Sequence, residues 1–147
     1  MISKIKIRIE SIIDDLDDAG LPVGESDKSV TEADGIYRYA TDEARITYNE
    51  VLEGGESRCE IVFIGGGVTV RRRGAIESEL YFKEGEVHHS IYSVPPYRFD
   101  AEVRTKRVRF ELSPDGGRIN LVYNMKIGGA EKSAVMKIWI SRHSNQA

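Results

Sequence analysis

The stretch Gly117-Arg118-Ile119-Asn120-Leu121-Val122-Tyr123-Asn124-Met125-Lys126-Ile127 sets Ile119, Leu121, Tyr123, Met125 and Ile127 at every second position. Side chains of a strand point alternately to opposite faces, so this spacing gathers five large apolar groups on one surface. A helical period of 3.6 would scatter the same residues around a cylinder. Stretches of the same kind follow one another along the chain with Gly, Pro and Asp between them and almost nothing helical. The expected architecture is all-β, a single antiparallel meander β-barrel of about 8–10 strands.

Upstream of that stretch, Tyr97, Phe99, Ala101 and Val103 are apolar at odd positions, whereas Val108, Phe110 and Leu112 are apolar at even ones. One extra residue must be absorbed between Arg104 and Lys106, which predicts a β-bulge of the kind that bends a sheet toward closure. Earlier strands are expected at Ser29 to Tyr39, Ala44 to Leu52, Arg58 to Ile64, Val68 to Arg73, Ile76 to Lys83 and Glu86 to Ser93, and a last one at Ala134 to Ser141. The run Gly65-Gly66-Gly67 sits between two strands, so it reads as a tight turn; a phosphate cradle would need a helix behind it. Pro95-Pro96 marks a corner. The first strand starts at Ile2, with Ile5, Ile7 and Ile9 inward, and residues 14–28 read as an acidic loop at the barrel mouth. Residues 142–147 are expected to fray.

At 147 residues the chain suits one domain, 1–147, with a core that needs no metal or disulfide. The lone Cys59 cannot form an intrachain disulfide and reads as a small buried hydrophobe, which favours a reducing compartment. Charges interrupt the N-terminal isoleucines, so neither a signal peptide nor a spanning helix is expected and the protein is placed in the cytoplasm, off the membrane. A net charge of −3 argues against a general nucleic-acid binder. Residues 1–34 hold nine acids against four bases, and the remainder carries Arg71, Arg72 and Arg73 together with Arg98, Arg104, Lys106, Arg107 and Arg109. Those arginines read as an outer face paired with neighbouring glutamates, the other reading being a polyanion stripe.

Parity also says which polar groups point inward. Glu50 shares a face with Ile46, Tyr48 and Leu52; Arg72 with Val68 and Val70; His89 and Ser93 with Val87 and Ile91. A buried carboxylate or guanidinium is costly unless paired, so Glu50 and Arg72 are expected either to meet each other or a polar ligand, or to reach solvent at the rim. His88 and His89 point to opposite faces and cannot both hold one metal, the aspartates lack the spacing of a calcium loop, and no nucleophile motif is present. No metal or cofactor is therefore expected. The inward positions are too apolar for a polyphosphate tunnel enzyme.

Ile46-Thr47-Tyr48-Asn49-Glu50, Val70-Arg71-Arg72-Arg73-Gly74 continuing to Phe82, Tyr92-Ser93-Val94-Pro95-Pro96-Tyr97 and Gly117-Arg118-Ile119-Asn120-Leu121-Val122-Tyr123 together resemble the YwiB-like family of small uncharacterised bacterial proteins. The likeness spans residues 35–129 and departs from the family pattern at Val94 and Arg98. It implies a calycin-like, lipocalin-type barrel and supplies no activity. Tyr48, Glu50, Arg73, Gly74, Tyr92, Pro95 and Tyr123 match its pattern. The ligand-binding candidates are Tyr48, Glu50, Arg72, His89, Tyr92 and Tyr123, with no catalytic residue. Two functions stand open, a non-enzymatic binder of a small, largely apolar ligand in the lumen and a barrel filled by its own side chains that serves as an interaction module. A hydrolase-like or polyanion-binding barrel is third. Pairing of edge strands between two copies would give a homodimer.

Overall fold

Ile119 and Leu121 are fully buried and Tyr123 is 3 % exposed, so the alternation does gather them on one inner surface. The computed structural model describes residues 1–52 and 54–142, Leu52 by its backbone only. Ten strands appear: β1 (Ile2–Leu16), β2 (Pro22–Ala40), β3 (Glu43–Leu52), β4 (Gly55–Ile64), β5 (Gly67–Gly74), β6 (Ser78–Phe82), β7 (Val87–Val94), β8 (Tyr97–Ser113), β9 (Gly116–Ile127) and β10 (Ala130–Arg142). They form one antiparallel sheet in the order β6-β5-β4-β3-β2-β1-β10-β9-β8-β7. Closure falls between β6 and β7, where Glu77 and Ser93 exchange two backbone hydrogen bonds of 2.8 Å. The result is a nearly closed up-and-down barrel.

Inward residues of β1, β9 and β10 supply much of the core: Ile5, Ile7, Ile9, Ile119, Leu121, Ile138 and Ile140. Each fully buried side chain of this size contributes about 1.5–3 kcal/mol relative to exposure, which makes the inner face the dominant stabilising term. Phe82 of β6 meets Tyr123 of β9 across the interior, ring centres 4.7 Å apart. Most connections are two-residue turns. Gly65-Gly66 has φ of 58° and 81°, and Gly128-Gly129 has 56° and 87°. Positive φ at both central residues is the geometry of the type I′ turn favoured in two-residue hairpins, so the glycine run is indeed a turn. Pro95-Pro96, joined by a cis bond, forms the tip of the β7–β8 hairpin.

The bulge lies where the parity change put it, since Thr105 pairs with Tyr123 and Arg107 with Val122, leaving Lys106 as the extra residue. Two expectations fail. Residues 14–28 are not a loop: β1 runs on to Leu16, β2 starts at Pro22, and the turn is compressed into residues 17–21. There Asp17 Oδ1 accepts the backbone N–H groups of Ala19 and Leu21, both at 2.9 Å. A ladder needs only backbone groups, and on a hairpin arm with solvent on both sides no apolar alternation is required to hold it. The second failure is the facing of β7. Register pairs Ser90 with Ala101 and His88 with Val103, both partners buried, so the even residues of β7 turn inward and Val87, His89 and Ile91 lie outside. Arg142 closes β10, and residues 143–147, including His143, lie outside the described residues together with the rest of the expected frayed end.

Gly117 sits at φ 150°, and a Cβ there would stand 1.9 Å from the Glu111 carbonyl oxygen, whereas one at Gly54 would meet nothing within 4 Å. Gly117→Ala is therefore expected to cost on the order of 1–3 kcal/mol or more, against a near-neutral Gly54→Ala. Urea unfolding of the two variants beside the parent checks this contrast.

Candidate functional site

One level of the sheet places Tyr48 beside Cys59, Cys59 beside Arg72, and Arg72 beside Ser78 on the four successive strands β3 to β6. Cross-strand neighbours share a face, so all four point inward. Glu50 follows Tyr48 by two residues and keeps its facing. Arg72 Nε then lies 3.8 Å from Glu50 Oε1, with side chains only 19 % and 9 % exposed. The two candidates thus meet inside the barrel and not at a solvated rim. Tyr92 from β7 and Tyr123 from β9 complete the surroundings of the guanidinium.

Charge in this setting is expensive, and the ionisation behaviour shows it. Burial is the largest influence on Arg72 and works against its charge, but Glu50, Tyr48, Tyr92 and Cys59 outweigh it and raise the guanidinium above its ordinary value. Tyr123 is pushed up to about 12, by burial first, with Arg72 pulling it down and Tyr92 pushing it up. Burial also drives Tyr48 well above the ordinary tyrosine range, helped by Cys59 and Glu50. The Cys59 thiol is raised by burial and by Glu50, so it stays protonated and unreactive at neutral pH. Tyr48 Oη, Arg72 Nε and Ser78 Oγ are buried and make no hydrogen bond of ordinary geometry among the described residues.

Above this cluster the interior opens. A cavity of about 440 Å³ is lined by Glu50, Arg72, Tyr92 and Tyr123, by Ile9, Ile13, Leu80, Met125, Ile127 and Met136, and by Ser11, Ser29 and Thr31. Its outer margin carries Asp15, Glu25, Asp27 and Lys132. The opening follows from the sheet itself: β2 pairs with β3 only from Gly35 to Ala40, so the half of β2 before Gly35 parts from the end of β3. Larger by volume is an outer groove of about 650 Å³ beside Lys4, Gly35 and Arg58, but it is a shallower feature of the surface and contains none of the buried ion pair.

Of the six candidate residues, five converge. Glu50, Arg72, Tyr92 and Tyr123 line the cavity, and Tyr48 stands behind Arg72, fully covered. His89 is outside, 75 % exposed and 3.8 Å from Glu102, because the facing of β7 is the reverse of that expected. His88 instead bonds Glu86 at 2.8 Å and meets the Tyr81 ring edge-on. Sequence reasoning missed Cys59 as a neighbour of the cluster and Asp15, Glu25, Asp27 and Lys132 as its margin. A period-two reading of the acid-rich stretch, with Glu25, Asp27, Ser29 and Thr31 on one face, was the signal that could have found the latter.

The family described as "Domain of unknown function (DUF1934)" matches residues 8–138. The chain belongs to the DUF1934 family. Its relatives include the "Uncharacterized beta-barrel protein YwiB" of Bacillus subtilis (strain 168), 22% identical over 130 residues that cover 87% of this chain and 85% of that protein. The crystal structure of the ywiB protein from Bacillus subtilis superposes with a TM-score of 0.83 at 22% identity, covering 97% of this chain and 94% of that one. At that identity the likeness speaks for the fold. DUF1934 carries no assigned activity, which agrees with the family expected from the sequence.

Because Tyr123 ionises near 12 when folded and at the ordinary 10.0 when unfolded, the unfolded chain holds fewer protons between those values. Stability present below pH 10 is therefore lost as pH rises toward 12. Tyr123→Phe is expected to make this alkaline fall shallower, as read from the slope of unfolding free energy against pH over that window.

Proposed function

We propose that the barrel is a non-enzymatic binder of a small, largely apolar molecule held in the lumen, with the Glu50–Arg72 pair and the tyrosine hydroxyls fixing its polar end. The observation that carries this reading is the cavity of about 440 Å³ that reaches the surface and has isoleucine, leucine and methionine walls around that pair. Ligand pockets are typically of about 300–1,000 Å³, mainly apolar, with a few placed polar groups. An up-and-down barrel with an interior cavity is also the arrangement that lipocalin-type carriers use. Catalysis is the weaker reading, because the buried carboxylate of Glu50 is already opposed by Arg72, the thiol is held protonated, and both described histidines lie away from the cluster. The free, buried Cys59 suits work in the reducing cytoplasm.

The neutral dye N-phenyl-1-naphthylamine brightens in apolar surroundings and is expected to do so with this protein. Ser11→Trp, which fills the cavity from β1, should abolish that signal while the thermal unfolding transition persists; a signal that survives it would place the dye elsewhere and defeat the lumen reading. Glu50→Gln should weaken dye-dependent thermal stabilisation, with affinity down about tenfold if a charged hydrogen bond is lost. Native mass spectrometry of protein from its own host names the resident molecule.

A further inference from the structure

We infer that the lumen selects for an organic cation, an alkyl or aryl amine whose apolar body lies along the Ile and Met walls and whose positive group is drawn among Glu50, Glu25 and Asp27. This rests on the lumen-binding reading and adds the charge of the ligand. Four carboxylates line the cavity, Asp15, Glu25, Asp27 and Glu50, against two cations, Arg72 and Lys132. Lys132 Nζ is 2.7 Å from Asp15 Oδ1 and Arg72 is opposed by Glu50, which leaves Glu25 and Asp27 without an ion pair among the described residues. The formal balance of the lining is thus negative by two charges, and low-dielectric walls focus such a field into a cleft.

Glu50 supplies the independent observation. Its side chain is 9 % exposed, it lines the cavity, and its nearest cation stands at 3.8 Å, beyond hydrogen-bond reach. No hydrogen bond to its carboxylate is formed among the described residues. A carboxylate buried to that degree lacks the donors that normally stabilise it, and an ammonium group brings three. Tyr92 and Tyr123 line the same cavity, and aromatic rings favour a cation over an anion. Arg72 Nε is unpartnered too, but an anion reaching it would have to pass Glu25 and Asp27 and then lie against Glu50. A metal ion fits less well, since no three His, Cys, Asp or Glu side chains among the described residues converge as ligands.

The test is competition of octylammonium, 1-octanol and octanoate against N-phenyl-1-naphthylamine on the full chain at neutral pH. Octylammonium is expected to bind tightest and octanoate weakest, about tenfold or more apart at low ionic strength, with the gap closing as salt screens the margin. The exposed pair Glu25→Gln and Asp27→Asn should shrink the octylammonium advantage and leave 1-octanol unchanged. Equal affinities for the three, or octanoate in front, overturn the cation inference while the lumen reading stands. If neither the dye nor any octyl probe binds, the lumen reading itself fails and the cation inference with it.

Discussion

The ladder between the first and the last strand is the constraint on which the barrel depends. β1 and β10 pair without a break from Ile5 opposite Arg142 to Asp15 opposite Lys132. That register sets Ile7 against Ile140 and Ile9 against Ile138, so both strands turn the same apolar face to the interior, and a slip by one residue would expose all of it. Joining the two ends of the chain also moves the point of incomplete closure to the middle, between β6 and β7, where a single bridge suffices. Such closure needs contacts between residues far apart in sequence, which makes loop entropy a large cost in folding and predicts a slow, late-closing barrel.

Within this frame the Glu50–Arg72 pair is hard to explain as a source of stability. Removing two charges from water costs several kcal/mol, and at 3.8 Å their attraction is weaker than a bidentate contact would give. An apolar pair of similar volume would serve packing at least as well. The same stretch of interior leaves Tyr48 Oη and Ser78 Oγ without good partners, although the neighbouring Ile46, Ile61 and Val70 pack tightly. These departures from good core chemistry cluster at one level, beneath the cavity, and it is on that level that the binding proposal rests.

Legibility from sequence followed the strength of the burial signal. β9, the first half of β1, the β8 bulge and the inward facing of Glu50 and Arg72 were all readable, because on those strands one face is buried and the alternation is imposed on the sequence. The arm of residues 14–28 was misread since both its faces meet solvent, and Asp, Gly and Pro there look like a loop even when the backbone forms a ladder. β7 failed for the opposite reason: Val87 and Ile91 are apolar yet exposed, and its facing is dictated by Ala101 and Val103 of its partner, not by its own pattern. Contacts between strands, such as Cys59 beside Arg72, depend on register and are invisible until pairing is known.

Charge is distributed differently over the scaffold and the site. On the outer wall Arg8, Arg45, Arg71, Arg109, Arg118 and Arg142 each stand within ion-pair distance of a Glu or Asp. Arg71 bonds Glu79 at 2.9 Å and holds that carboxyl below the usual range. Exposed pairs of this kind contribute only about 0–1 kcal/mol each, and they offset charge locally where they form. Glu25 and Asp27, at the lumen margin, have no such partner among the described residues. Two carboxylates at the entrance to a cavity with low-dielectric walls concentrate their field there, and the acidic first 34 residues are the part of the sequence that supplies them.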